Sequence, residues 1–124
     1  MEQYRAAVIG LGRIAWKLEE DPKRDHPCTH AGALENLEGV NLVAGCARSR
    51  ESALAFQERF HTRRAYTDYL DMVREEKIDL VGVATNPETH AQIVVDLAHA
   101  GVKGILCEKP LALSLEDADR MLAA

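Results

Sequence analysis

Cysteine, positive charge and long apolar runs are all in short supply in this chain, and each shortage closes off a class of protein. The cysteines number three, Cys28, Cys46 and Cys107. They are odd in number and widely spaced, which gives neither a disulfide framework nor a zinc-ribbon spacing, so a reducing cytoplasm is the expected compartment. Lysine and arginine together are outnumbered by acids, and the net charge is −5. Binding a phosphate backbone needs clustered positive charge, so nucleic acid is not an expected partner. No apolar run approaches the roughly 20 residues that cross a bilayer. The opening Met1-Glu2-Gln3-Tyr4-Arg5 lacks the apolar core of a signal peptide. There is no internal repeat and no low-complexity tract. What is present is a globular balance, 47% apolar and 28% charged over 124 residues, enough for one domain with a buried core.

The stretch that organises the rest is Val8-Ile9-Gly10-Leu11-Gly12-Arg13-Ile14-Ala15. An apolar strand runs into two glycines spaced one apart, and a segment with helical character follows. A helix that begins in such a turn offers bare N–H groups and a positive dipole end, which suit a pyrophosphate. Gly10 takes the tight turn, Gly12 clears the approach to the ligand, and Ala15 stands at the third small position of G-x-G-x-x-G/A. Taken alone the pattern also describes ordinary turns.

Along the chain, Arg5–Ile9 reads as a buried parallel strand. A first helix is expected from Arg13 to about Glu19, broken by the charged, proline-bearing stretch from Glu19 to Pro27 and resumed near Thr29, with Gly39 ending it. A second strand spans Val40–Ala47, and Ser49 caps the next helix. A short third strand spans Arg64–Tyr66, followed by a helix capped by Thr67 that runs through Glu76. A fourth strand spans Ile78–Ala84. Asn86-Pro87 then opens a helix that stops at Gly101. The fifth strand is Val102–Cys107, and Ser114-x-x-Asp117 starts the last helix. Alternating strands and helices with right-handed crossovers predict an α/β, doubly wound parallel sheet, a Rossmann fold of strand order 3-2-1-4-5. The chain stops in the helix before a sixth strand, which is expected to be missing. Ligands of such sheets sit where the strand order reverses. Here that is the crevice between Gly10–Arg13 and Thr85–Pro87.

Several residues stand where they can do chemistry. The end of the second strand normally carries an acid for the adenosine ribose, but this chain has Cys46-Ala47-Arg48-Ser49-Arg50. Arg48 and Arg50 can pair with a 2′-phosphate and Ser49 can donate to it, so NADP is preferred over NAD. The same residues also read as two surface arginines flanking a plain N-cap. Thr85, Asn86 and His90 open the fourth helix inside the crevice, where Asn86 serves as a cap. Glu108-Lys109-Pro110 follows the fifth strand directly, and the proline holds Lys109 in extended geometry. A lysine there can bind a substrate hydroxyl and tune its acidity for hydride loss, and the same residues also read as a solvated turn. His26, Cys28 and His30 share a loop, but their spacing matches no familiar zinc module, and no metal is expected. Cys46 and Cys107 lie in apolar strands as packing residues.

Together, Gly10-Leu11-Gly12-Arg13-Ile14-Ala15, Ala84-Thr85-Asn86-Pro87 with His90, and Cys107-Glu108-Lys109-Pro110-Leu111-Ala112 resemble the Gfo/Idh/MocA oxidoreductases. The resemblance covers essentially the whole chain but only the N-terminal half of such a protein. It implies hydride transfer between NAD(P) and a secondary carbon of a sugar, cyclitol or polyol. Gly10, Gly12, Arg13 and Ile14 would hold the pyrophosphate. Thr85, Asn86 and His90 would lie along the cofactor toward the nicotinamide. Glu108 would contact the cofactor, and Lys109 would sit beside nicotinamide and substrate as the catalytic residue. Residues 1–124 would then be the dinucleotide-binding domain of a longer, two-domain and homo-oligomeric enzyme, inactive without the substrate domain. The family commonly has an Asp where Ala47 and Arg48 stand. The alternative is a free-standing nucleotide-binding module or sensor without hydride chemistry, or a related domain for CoA or another nucleotide.

Overall fold

A computed structural model describes residues 2–124. Its centre is a parallel sheet of β1 (Tyr4–Ile9), β2 (Val40–Cys46), β3 (Leu80–Val83) and β4 (Gly104–Cys107), in the order β2-β1-β3-β4. Tyr66 makes a single parallel bridge to Cys46 outside β2. The expected order is therefore kept, with the third strand reduced to one bridge. β1 and β3 pair from Ala6 with Leu80 to Ile9 with Val83, which puts the ends of both strands side by side at the reversal of strand order.

β1 is buried on both sides because helices cover both faces, and its small residues let them approach. Ala6, Ala7 and Val8 have no exposed surface. On one face lie α1 (His30–Asn36) and α2 (Arg50–Phe60), packed with Val8, Ala31 and Phe56. On the other lie α3 (Tyr69–Glu76), α4 (Pro87–His99) and α5 (Leu115–Ala123), packed with Ile9, Met72, Leu97 and Met121. Each fully buried large apolar side chain such as Phe56 or Leu97 contributes about 1.5–3 kcal/mol relative to exposure. β3 begins at Leu80 rather than Ile78, and β4 at Gly104 rather than Val102. In each case the first expected strand residue closes the preceding helix: Ile78 N–H donates to the Val73 carbonyl and Val102 N–H to the Leu97 carbonyl.

The largest departure is behind the glycines. No α-helix starts there. Gly12 O accepts from both Trp16 and Lys17 at 3.3 Å, Leu18 bonds back to Arg13, and only a short 3₁₀ segment forms at Lys17–Glu20. Trp16 leaves helical geometry, with φ −159°, and its ring meets those of Phe56 and Phe60 edge-on. The regular helix is delayed to His30, after a strap that Glu19 fastens. One Glu19 carboxylate oxygen accepts from Cys28 N–H, Thr29 N–H and the Thr29 hydroxyl. Two caps also differ. Asp68, not Thr67, caps α3, because its carboxylate accepts from both Leu70 and Asp71 N–H at the positive helix end. Asn86 stands at the N-cap of α4, but its side chain makes no cap bond. The Thr89 hydroxyl instead donates to the Asn86 carbonyl and pairs with the Thr85 hydroxyl, both at 2.7 Å.

Candidate functional site

At the carboxyl edge of the sheet, β1 ends in a turn that only glycine tolerates. Gly10 has φ +85°, and a Cβ there would lie 2.7 Å from the Ala84 carbonyl. This close approach joins the ends of β1 and β3. Two residues on, a Cβ at Gly12 would meet nothing within 4 Å, so the backbone faces open space. Among the described residues, the N–H groups of Gly12, Arg13 and Ile14 have no acceptor within the protein. The long helix dipole expected behind them is absent, but the bare donors remain.

Gly12, the first of these, borders a cavity of about 700 Å³, which also takes in Arg48 and Ser49 from the end of β2 and Thr85 and Asn86 from the end of β3. The volume is in the range of sites that hold cofactors. Its charge is unusual for an acidic chain. Among the described residues, Arg5, Arg24, Arg59, Arg63, Arg64, Arg74, Lys103 and Arg120 each have an acidic partner. Of the seven described cations with no acid within 4.0 Å, Arg13, Lys17, Arg48, Arg50 and Lys109 follow the strand ends or the glycine turn, while Lys23 lies farther along the strap and Lys77 at the C-cap of α3. The acid lining the cavity is Glu88, in the first turn of α4.

The sequence-derived residues separate into groups. Gly10, Gly12, Arg48, Ser49, Thr85 and Asn86 come together around the cavity. Arg13, Arg50 and Lys109 are exposed nearby without lining it. Ile14 and Glu108 border a second, mostly apolar groove of about 590 Å³ over β3 and β4. Glu108 is not free: His30 Nε2 donates to its carboxylate at 2.8 Å. That bond, with Lys109 N–H and the Lys109 charge, holds the carboxyl below its ordinary range against the opposing effect of burial. His30 fits against the sheet because Gly82 beneath it has no side chain; a Cβ there would stand 2.6 Å from Nδ1.

His90 requires a correction. It has no exposed surface, so it has nothing to offer a ligand directly. Nδ1 faces the Pro110 carbonyl at 2.9 Å and Nε2 the Thr85 carbonyl at 3.0 Å. The ring therefore fastens the segment after Lys109 to the end of β3, and its role is to position its neighbours.

The expected loop cluster also regroups. Glu19, His26 and Cys28 converge, while His30 turns to the sheet. The Glu19 oxygen is already occupied by three donors, and Cys28 Sγ–H donates to the Leu18 carbonyl. This trio is the joint of the strap. Burial pushes the thiols of Cys46 and Cys107 up to about 12 and about 11, which keeps them protonated packing residues. Lys17 is a residue of the cavity wall that the sequence reading missed. The helix expected over that stretch gave no way to tell which side it would face.

A parallel sheet with a glycine turn, bare amides and unpaired cations at its order reversal defines a dinucleotide-binding domain of the Rossmann type. Residues 4–124 match the oxidoreductase family described as NAD-binding Rossmann fold, GFO_IDH_MocA, and the chain belongs to that family. It is 38% identical to the D-apiose dehydrogenase of Paraburkholderia graminis, over all of this chain and 30% of that protein. Among solved structures, it resembles a 3-ketoreductase of Actinomadura kijaniata in complex with NADP (TM-score 0.80, 28% identity, 98% of this chain and 35% of that one). It also resembles the WlbA dehydrogenase of Bordetella pertussis in complex with NADH and UDP-GlcNAcA (TM-score 0.81, 25% identity, 98% and 33%). The chain thus spans about a third of the length of these relatives.

Proposed function

We propose that this chain is the NADP-binding part of an oxidoreductase that moves a hydride between the cofactor and a secondary alcohol, or its carbonyl, on a sugar, cyclitol or polyol. The observation that carries the reading is electrostatic. A chain of net charge −5 leaves five of its seven acid-free cations after the strand ends and the glycine turn, two of them, Lys17 and Arg48, on the wall of a cavity that Gly12 and its bare amide also border. Unpaired like charges at one edge repel, and an anionic ligand relieves them.

In this reading Gly10 and Gly12 admit the diphosphate, and the N–H groups of Gly12, Arg13 and Ile14 donate to it. Arg48, Ser49 and Arg50 face the 2′-phosphate of the adenosine ribose, where an NAD-binding site would carry an acid. Thr85 and Asn86 line the path toward the nicotinamide, and Asn86 has its amide free because Thr89 bonds the helix start. The nicotinamide, when bound, supplies or accepts the hydride. Lys109, set at the end of β4 by the His90 tie and the Glu108 neighbour, holds its Nζ toward a substrate hydroxyl and lowers the cost of removing its proton. The substrate is held by a further domain, as the relatives' greater length suggests. The alternative, a nucleotide-binding module without hydride chemistry, draws on Lys109 standing outside the cavity wall.

A thermal titration tests the reading. A ligand that binds only the folded state adds about 2.7 kcal/mol of stability at a hundredfold excess over Kd. NADPH is expected to raise the melting temperature more than NADH at equal concentration. Equal shifts refute the NADP preference, and CoA raising it while neither dinucleotide does refutes the reading as a whole.

A further inference from the structure

We propose that Lys17, on the strap between the glycine turn and α1, is a cofactor-specificity residue that pairs with the 2′-phosphate of NADPH. This rests on the dinucleotide reading above and extends it to a residue that no G-x-G-x-x-G pattern contains.

Three observations lead there. First, Lys17 borders the same cavity as Arg48, Ser49 and Ser52, and Ser49 and Ser52 are the cap and first turn of α2. It therefore faces the end of β2, where the adenosine ribose of a dinucleotide is bound in such sheets. Second, the strap is fastened so that Lys17 stays there. Its neighbour Trp16 packs edge-on against Phe56 and Phe60 of α2, with ring centroids 6.4 and 6.0 Å apart. Glu20, three residues on, pairs with Arg59 of the same helix. Glu19 bonds the far end of the strap at Cys28 and Thr29. Third, Lys17 and Arg48 meet one space with no acid between them. Ala47 and Arg48 occupy the strand end that would otherwise offer a carboxylate, and Glu88 stands on α4, which packs on the other face of the sheet. Two ammonium or guanidinium groups around one space suit a phosphate monoester, which carries about −1.5 to −2 charges at neutral pH. A ribose hydroxyl needs neither.

Loss of the helix behind the glycines thus brings a compensation. The strap that replaces it carries a full positive charge to the phosphate-binding wall, where the helix would have offered only a dipole end.

The test compares K17M and K17R with the unmodified chain, reading NADPH and NADH affinities by calorimetry and melting temperature without ligand. Lys17 is exposed, so K17M is expected to melt as the unmodified chain does. K17M is expected to weaken NADPH at least about tenfold, the scale of one charge-assisted phosphate contact, while NADH stays within about twofold. K17R is expected to retain most of the NADPH affinity. Equal losses for both dinucleotides would move Lys17 to the diphosphate and overturn the assignment, as would no loss for either. An unmodified chain that binds neither dinucleotide overturns the underlying reading and this assignment with it. Binding of both by the unmodified chain, unchanged in K17M, overturns this assignment alone.

Discussion

Replacing Gly10 by alanine should unfold this domain more readily than any other change of one methyl group at the site. Two costs add. The residue sits at φ +85°, where an L side chain is strained, and left-handed backbone costs roughly 1–2 kcal/mol outside glycine. The new Cβ would also stand 2.7 Å from both the carbon and the oxygen of the Ala84 carbonyl and 2.8 Å from Thr85 Cγ2. These are mostly backbone atoms in a paired strand end, held by Ala84 N–H donating to the Ile9 carbonyl at 2.8 Å, so they cannot swing aside. Overpacking of this kind costs about 1–3 kcal/mol. The expected loss is therefore about 2–5 kcal/mol, or roughly 6–25 °C in melting temperature for a domain of this size. Urea denaturation followed by circular dichroism measures it. Gly12→Ala is the internal control: its Cβ meets nothing, so stability should stay within about 1 kcal/mol, while the methyl group projects toward the ligand and weakens NADPH. A Gly10→Ala variant within about 0.5 kcal/mol of the unmodified chain would refute the claim that this turn locks β1 to β3.

Glu76 and His90 give two further expectations. Glu76 is buried, and burial alone would push its carboxyl up, but bonds from Arg63 and Tyr66 and the charges of Arg63 and Arg5 hold it below its ordinary value of 4.5. Its charged form is thus favoured by folding. Glu76→Gln should cost about 1–3 kcal/mol near neutral pH, where Arg5 and Arg63 are themselves partly solvated. The gap should close as pH falls through the depressed value, and a gap that widened in acid would contradict the network. His90→Leu leaves the Thr85 and Pro110 carbonyls without their ring partner, at about 1–3 kcal/mol. Amide hydrogen exchange should rise at Leu111 and Ala112, and unchanged exchange there would show that the ring does not hold that segment.

How much of this could be read from the sequence depended on how far apart the interacting residues lie. Gly10, the apolar strands, Ser49 and Ser114 were legible because their reasons are local: a turn, an alternation of layers, a hydroxyl before a helix. The cap of α3 was misplaced by one residue, since Thr67 and Asp68 are both good caps and only the backbone decides which oxygen meets two amides. The His30–Glu108 bond joins positions 78 apart, with no pattern in between to announce it. It ties Glu108, the acid beside Lys109, to the sheet before any ligand arrives. The segment after Gly12 failed for a different reason. Its composition suits a helix, but Trp16 gains more by packing on Phe56 and Phe60 than a regular turn would return, and that bargain depends on a helix 40 residues later.

The central claim is that a dinucleotide lies in the cavity at the ends of β1, β2 and β3, and backbone amide chemical shifts during an NADPH titration test it most directly. The account predicts movement of Gly12, Arg13 and Ile14 together with Arg48, Ser49 and Asn86, while Leu37, Ile105 and Leu106 of the apolar groove stay in place. Movement confined to the groove, or to neither, would contradict it.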